Sequence, residues 1–346
     1  MPANLSPEYK AAEAAFRATR DPRERLDRLR EMLRTIPKHK GTEHLQADIK
    51  ARIKDLGEQV EGGKKGGAHG GPALVIRPEG AAQVALIGPP NSGKSALHDR
   101  LTGSAAAVAP YPYTTQYPQP GMMPLDDIHF QLIDLPPVSS EHPVPWIGSA
   151  LQTADAALLV VDLAEPACLE QLQSVHALLA ERRVQLAASW PGDESRPGAA
   201  AVDQASAETD DLFAVRLPTL LLANQSDRVA DPQTELQALR ELSRLEYPAM
   251  IVSAMTGRGL GELGPWLFRR LGVVRVYTKV PGHATDRQRP FTLRRGQTVG
   301  DVARLVHRDL ERTLRYARIW GPSGFDGQQV GHEHHVADGD VVELHT

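Results

Sequence analysis

Apolar residues recur along this chain with two different periods, and the change of period marks its organisation. Between about residues 7 and 60 the spacing is helical. Leu26, Leu29, Leu33 and Ile36 follow one another by three or four positions, and so do Leu45, Ile49, Ile53 and Leu56. Charged residues occupy the positions between them, as expected for helices with one apolar face. Pro37-Lys38-His39-Lys40-Gly41 separates the two runs as a turn signal, and Thr42 stands where it can cap the second. A helical hairpin is expected over residues 1–65. Gly-rich sequence after it predicts a flexible linker over 66–80.

From Gln83 the apolar residues fall in short continuous runs. Val84–Ile87, Phe130–Ile133, Ala157–Val161, Leu220–Ala223 and Ala249–Val252 read as buried strands, with helical stretches between most of them. Such alternation implies a doubly wound, mostly parallel α/β sheet over 81–272. In sheets of this kind ligands bind beyond the carboxyl ends of the strands. Asp134, Asn224 and Ser253-Ala254 lie at those ends. Between Pro191 and about residue 212 the chain is rich in Gly, Ala, Ser and Asp, too polar to bury much surface, and reads as a mobile polar insertion. From Val273 a smaller module begins. Val273–Thr278, Pro290–Arg294, Tyr316–Trp320 and Val341–Leu344 read as strands, and Thr298-Val299-Gly300-Asp301 opens a helix with a capping arrangement. Strands around one helix suggest a β-grasp domain over 273–346.

Composition sets limits. The 346 residues are 41% hydrophobic and 24% charged, with a formal net charge of −4, ordinary for a soluble globular chain. Charge is uneven. The first 70 residues carry 15 Lys+Arg against 11 Asp+Glu, and residues 275–346 carry 11 against 9, so two mildly basic ends flank an acidic centre. The single cysteine, Cys168, excludes an intrachain disulfide and a multi-cysteine metal site. No signal sequence opens the chain, and no apolar run approaches the length that spans a bilayer. The expectation is a cytoplasmic protein with no membrane association.

The strongest chemical signal is Gly88-Pro89-Pro90-Asn91-Ser92-Gly93-Lys94-Ser95, the G-x-x-x-x-G-K-S phosphate loop of a P-loop NTPase, placed after a strand and before a helix as the motif requires. Its N–H groups and the helix N-terminus, with Ala96 in the first turn, form a cradle for phosphates. Lys94 is the candidate for the β- and γ-phosphates, and Ser95 for Mg²⁺. Asp134 is a second magnesium candidate. Asn224-Gln225-Ser226-Asp227 follows a later strand. A carboxylate at Asp227 can accept two parallel hydrogen bonds from guanine, and adenine offers no such donor pair. Asn224 is expected to brace the loop and the base.

Taken together these motifs resemble the Obg superfamily of GTPases, and especially its DRG branch, the developmentally regulated GTP-binding proteins. Tyr111-Pro112-Tyr113-Thr114-Thr115-Gln116, Gln131-Leu132-Ile133-Asp134-Leu135-Pro136 and Ser253-Ala254 fall in the family's order. Lys38–His44 is similar to its helical hairpin. Val276-Tyr277-Thr278-Lys279, Tyr316–Gly321 and Asp338-Gly339-Asp340-Val341-Val342 are similar to its TGS domain. The resemblance implies GTP and GDP as ligands, slow GTP hydrolysis, and the ribosome or structured RNA as partner, with a stabilising partner protein as a further candidate. It implies that Thr115 is the switch I threonine on Mg²⁺ and the γ-phosphate, with Thr114 the alternative. It implies that Asn91 belongs to potassium-assisted hydrolysis, and that Ser253 and Ala254 line the guanine edge. The family's insertion is shortened here to 182–216.

Three departures stand out. The family's D-L-P-G reads Asp134-Leu135-Pro136-Pro137, and Pro137 has no N–H to give a γ-phosphate. Val138 after it cannot orient a water. Gln225 stands where the base motif usually has lysine, so lower affinity is expected with specificity retained. Other candidates carry less. Arg304, Arg308, Arg312 and Arg315 form a basic stripe diluted by Asp309 and Glu311, and Trp320 at strand-like spacing reads as a core residue.

Overall fold

The computed structural model describes residues 6–19, 22–37, 42–62, 75–103, 117–193, 214–280, 282, 283, 287 and 289–346. They form two compact units. One takes the chain up to Pro78 together with Trp146–Thr153, and the other takes Glu79–Pro145 and Ala154–Thr346.

In the helical unit the two-helix expectation gives way to three helices in the N-terminal part: α1 (Pro7–Ala18), α2 (Pro22–Thr35) and α3 (Glu43–Gly62). The extra helix has its own start signal. Ser6 is the N-cap, its hydroxyl accepting from the Tyr9 N–H at 3.1 Å, and Pro7 occupies the first turn. Tyr9 and Phe16 of α1 are buried, as are Leu29 and Met32 of α2 and Ile49 of α3. Residues 7–18 lie within the stretch expected to be helical, but alanine occupies much of α1 and gives it too little apolar contrast to stand out as a separate helix. The expected linker is also shorter at its end. Glu79 donates its N–H to Gln131 Oε1, and Gly80 bridges Phe130, so the chain has joined the sheet before residue 81.

The second unit opens with β1 (Gln83–Ile87), α4 (Lys94–Thr102), β2 (Gln119–Leu125) and β3 (Ile128–Asp134). After α5 (Ile147–Leu151), which belongs to the helical unit, come β4 (Ala156–Asp162), α6 (Cys168–Glu181), β5 (Val184–Ala187), β6 (Val215–Asn224), α7 (Pro232–Ser243), β7 (Ala249–Ile251) and α8 (Leu263–Arg270). The strand order is β2-β3-β1-β4-β6-β5, with β7 also on β6. Every pairing is parallel except β2 with β3. β1 and β4 are buried along their whole length, as near-continuous apolar runs in a parallel sheet should be.

The expected polar insertion over 182–216 is corrected at both ends. β5 pairs with β6 from Val184–Val215 to Ala187–Pro218, and Trp190 is buried edge-on against Trp266 at 4.7 Å. A four-residue strand beside turn-forming sequence leaves little periodic signal. Residues 194–213 lie outside the described residues.

The β-grasp module contains β8 (Val273–Lys279), β9 (Phe291–Arg294), α9 (Val299–Val306), α10 (Arg308–Thr313), β10 (Tyr316–Trp320), β11 (Gln328–Val330) and β12 (Asp340–His345). Its sheet runs β11-β10-β12-β8-β9, and β8 with β12 is the parallel pair. The cap of α9 forms as expected, Asp301 Oδ2 accepting from the Thr298 N–H at 2.9 Å. Trp320 differs from its expected core position. Ala317 and Ile319 take the buried face, and Trp320 lies on the other face under Lys279 Nζ, 4.6 Å from the ring centre. Of the basic stripe, Arg304 is bound to Asp301.

This module is fixed to the edge of the large sheet where the strands begin. Arg275 reaches Asp127, just before β3, at 3.2 Å, and Tyr277 Oη donates to the same carboxylate. Arg294 Nη2 donates at 2.9 Å to Asp155, just before β4, whose other oxygen accepts the Gln83 N–H. The strands therefore carry the module at one end and leave their carboxyl ends to the candidate site.

Candidate functional site

The loop between β1 and α4 is shaped by backbone that side chains would obstruct. Gly88 has φ +154°, and a Cβ there would stand 2.3 Å from the Val160 carbonyl oxygen of β4. Gly93 has φ +88°, and its Cβ would meet Asn224 Nδ2 at 2.3 Å. Asn91, at the crest, is left-handed with φ 60°, a conformation asparagine tolerates better than most residues. Ser92 Oγ donates to the Pro89 carbonyl at 3.0 Å and holds the turn closed.

Lys94 opens α4 and folds back over the loop. Its Nζ donates to the carbonyls of Gly88 at 3.2 Å and Pro89 at 2.8 Å, and its side chain is buried. Burial draws its pKa down to about 8, against the opposing pull of Asp134. An arriving phosphate would add negative charge beside this buried ammonium and favour its charged form.

Ser95 and Asp134 come together as expected, Ser95 Oγ donating to Asp134 Oδ2 at 2.6 Å. A hydroxyl and a carboxylate at this spacing, beside the phosphate loop, are hard oxygen donors of the kind Mg²⁺ takes while keeping waters and phosphate oxygens. The donor set fits the ion. Thr115, with Thr114, lies outside the described residues.

Asn224 ends β6 and links two loops. Its Nδ2 donates to the Ser92 carbonyl at 2.9 Å, and its Oδ1 accepts from the Ala254 N–H at 3.0 Å. The phosphate loop and the 253–254 loop are thus tied through one buried side chain. Asp227 is exposed, with Ser253 Oγ donating to its Oδ1. Ser253 is itself fully buried, and its Oγ also accepts from the Thr256 N–H. Gln225, left-handed with φ 58°, donates from Nε2 to the Asn91 carbonyl at 3.2 Å.

Residues 83–189 match the family described as 50S ribosome-binding GTPase, and residues 274–346 match the TGS domain. An uncharacterized GTP-binding protein of Halobacterium salinarum is 27% identical, across 93% of this chain and 98% of that protein. Developmentally-regulated G-protein 2 of Arabidopsis thaliana is also 27% identical, across 91% and 88%. A GTPase domain followed by a TGS domain, with developmentally regulated GTP-binding proteins among the relatives, is consistent with a DRG-type member of the Obg superfamily. The solved YchF GTPase of Schizosaccharomyces pombe shares the fold, with a TM-score of 0.52 at 14% identity over 78% of this chain and all of that one.

Several residues of this site carried no motif. Arg100 on α4 donates to the Met255 carbonyl at 3.0 Å, holding the loop that follows Ala254. Asp162 ends β4 directly beside Asn224 in the parallel register. Its only sequence signal was an acidic residue closing an apolar strand, the same signal that picked out Asp134. Burial raises its pKa, while the Ala164 N–H and Arg228 pull the other way. The Leu135–Val138 segment is buried, and the Val138 N–H donates to the Gly88 carbonyl at 3.0 Å. Pro137 has no N–H, and that of Val138 is engaged with the phosphate loop.

Proposed function

We propose that this chain binds GTP and GDP with Mg²⁺ and hydrolyses GTP slowly, with a monovalent cation such as K⁺ at Asn91, as a cytoplasmic switch acting with the ribosome or structured RNA. The observation that carries the nucleotide reading is the closed set of contacts through Asn224, which joins the phosphate loop to the loop at Ser253-Ala254. Gly88 to Ala96 would hold the phosphates. Ser95, Asp134 and Thr115 would hold the metal, which screens phosphate charge when bound. Asn224, Gln225, Asp227, Ser253 and Ala254 would take the base. A cation at Asn91 would supply the charge that other GTPases take from an arginine. The ribosome reading draws on the family that 83–189 matches, and no helix among the described residues is long and apolar enough to cross a membrane.

A second reading has one observation in its favour. With Pro137 lacking an N–H and Val138 bonded to Gly88, switch II offers the γ-phosphate no amide at either position. The chain would then be a GTP- and GDP-binding scaffold with little hydrolysis. Single-turnover hydrolysis in potassium and in sodium separates the two. Faster turnover in potassium is expected, and bound GTP that survives in both salts supports the scaffold.

A further inference from the structure

The base-binding loop carries glutamine where a lysine is usual, and the structure places a cation beside it. Arg228 follows Asp227 directly. Its Nη1 donates to Gln225 Oε1, and the same nitrogen lies 3.6 Å from Asp162 Oδ2. The Arg228 N–H also donates to the Gln225 carbonyl at 2.9 Å. Gln225 Nε2, at the other end of the amide, donates to the Asn91 carbonyl of the phosphate loop. A continuous chain therefore runs from Asp162 through Arg228 and Gln225 to Asn91.

A lysine can span from a base-binding loop to a phosphate loop and bring a positive charge with it. Glutamine is shorter and neutral, but its amide has both a donor and an acceptor. Here the donor end takes the phosphate-loop carbonyl and the acceptor end takes a guanidinium. The guanidinium supplies the missing charge, and its fork fixes the amide's orientation. It also faces an acidic end of the sheet, where Asp162, Glu165 and Asp227 would otherwise repel an anionic nucleotide together. The left-handed backbone at Gln225 is a cost, and one that a residue held at both ends of its side chain can sustain.

We propose that Arg228 is a positioning residue for the guanine nucleotide, acting through Gln225, and that the pair Gln225–Arg228 takes the place of a single lysine. This rests on the reading of the site as a guanine-nucleotide site. Arg228 and Gln225 belong to the loop assigned to the base, which GDP and GTP share, so the two nucleotides are affected alike.

The test is equilibrium binding to the full chain with Mg²⁺, using fluorescent GDP and a non-hydrolysable fluorescent GTP analogue. Arg228→Ala weakens both nucleotides by about fivefold, the loss of one solvent-exposed hydrogen bond. Gln225→Lys restores the lysine, so in that background Arg228→Ala costs less than about twofold, the non-additivity expected of one shared function. Arg228→Lys keeps the charge without the fork and falls between. The proposal is overturned if Arg228→Ala binds as the wild type does, if its loss is undiminished beside Gln225→Lys, or if only one nucleotide is affected. It is also overturned if the loss follows a fall in the melting temperature of the nucleotide-free protein. Failure of the wild type to bind either nucleotide refutes the site reading itself, and a wild type that binds while Arg228→Ala is silent refutes only the role of Arg228.

Discussion

The two ends of the large sheet hold their neighbours by different means. At the carboxyl end, loops are shaped by unusual backbone and cross-tied at their centre by a neutral side chain: Gly88, Asn91, Gly93 and Gln225 are left-handed, and Asn224 bonds two loops. At the amino end the β-grasp module is held by charge. Arg275 sits among Asp126, Asp127 and Asp338, and Arg294 is paired with Asp155. The first arrangement holds a buried ammonium on carbonyls of the phosphate loop, at the end of the sheet where ligands of such folds bind. The second pairs carboxylates with arginines across the junction. A binding site holds groups for a ligand, and a domain junction pairs its groups with one another.

The comparison is broken most sharply at Asp227. If the carboxyl end is built for guanine, Asp227→Asn replaces a double acceptor with an amide that can accept only one of the two guanine hydrogen bonds. Affinity for GTP should fall by about 100-fold, with xanthine nucleotide binding gained. Competition of GTP against XTP for the variant measures this, and an unchanged preference refutes the base assignment. The amino end should not respond, so the melting temperature of the nucleotide-free protein stays where it was.

Pro137→Gly is a smaller and more selective change. It adds an N–H and frees φ at the position facing the phosphate loop. Discrimination of GTP over GDP should rise by about tenfold, the value of one hydrogen bond to a charged acceptor. The ratio of the two dissociation constants gives the answer. If it does not move, the bond from the Val138 N–H to Gly88 pins the segment whatever residue precedes it.

The two ends also differ in how much the sequence disclosed. The carboxyl end is made of contiguous strings, because a phosphate loop needs its glycines, lysine and serine at fixed offsets in one turn. Asn224 and Asp227 were legible for the same reason. The Gln225–Arg228 pairing was not, since an arginine after an aspartate carries no motif and its meaning depends on where Gln225 points. The junction was invisible. Asp127 and Arg275 are 148 positions apart, and their pairing leaves no local trace. Among the strands, β2 was missed because Pro120, Gly121 and Pro124 read as strand breakers. It tolerates them as an edge strand bonded to β3 alone. Trp320 was misplaced because alternation tells which residues share a face and says nothing of which face is buried.

The smallest effect expected is at the junction itself, and it tests whether the two ends are independent. Burial alone would raise the Asp127 pKa, but the hydrogen bonds from Tyr277 and Arg275 outweigh it and hold the carboxyl below its ordinary value. A carboxylate depressed in the folded state adds stability that is fully present above its unfolded pKa, near 4, and is lost as the pH falls through the folded value. Asp127→Asn removes the charge and weakens the acceptor for Arg275. The melting temperature near neutral pH should fall by about 2–4 °C, as for about 1 kcal/mol in a protein of this size. The gap between wild type and variant should close below about pH 4. Melting curves from pH 3 to pH 7 measure both. Nucleotide affinity should change by less than about twofold, since Asp127 lies at the opposite end of β3 from Asp134. A larger loss of affinity would mean that β3 couples the junction to the nucleotide site, and the two ends could no longer be treated as separate designs.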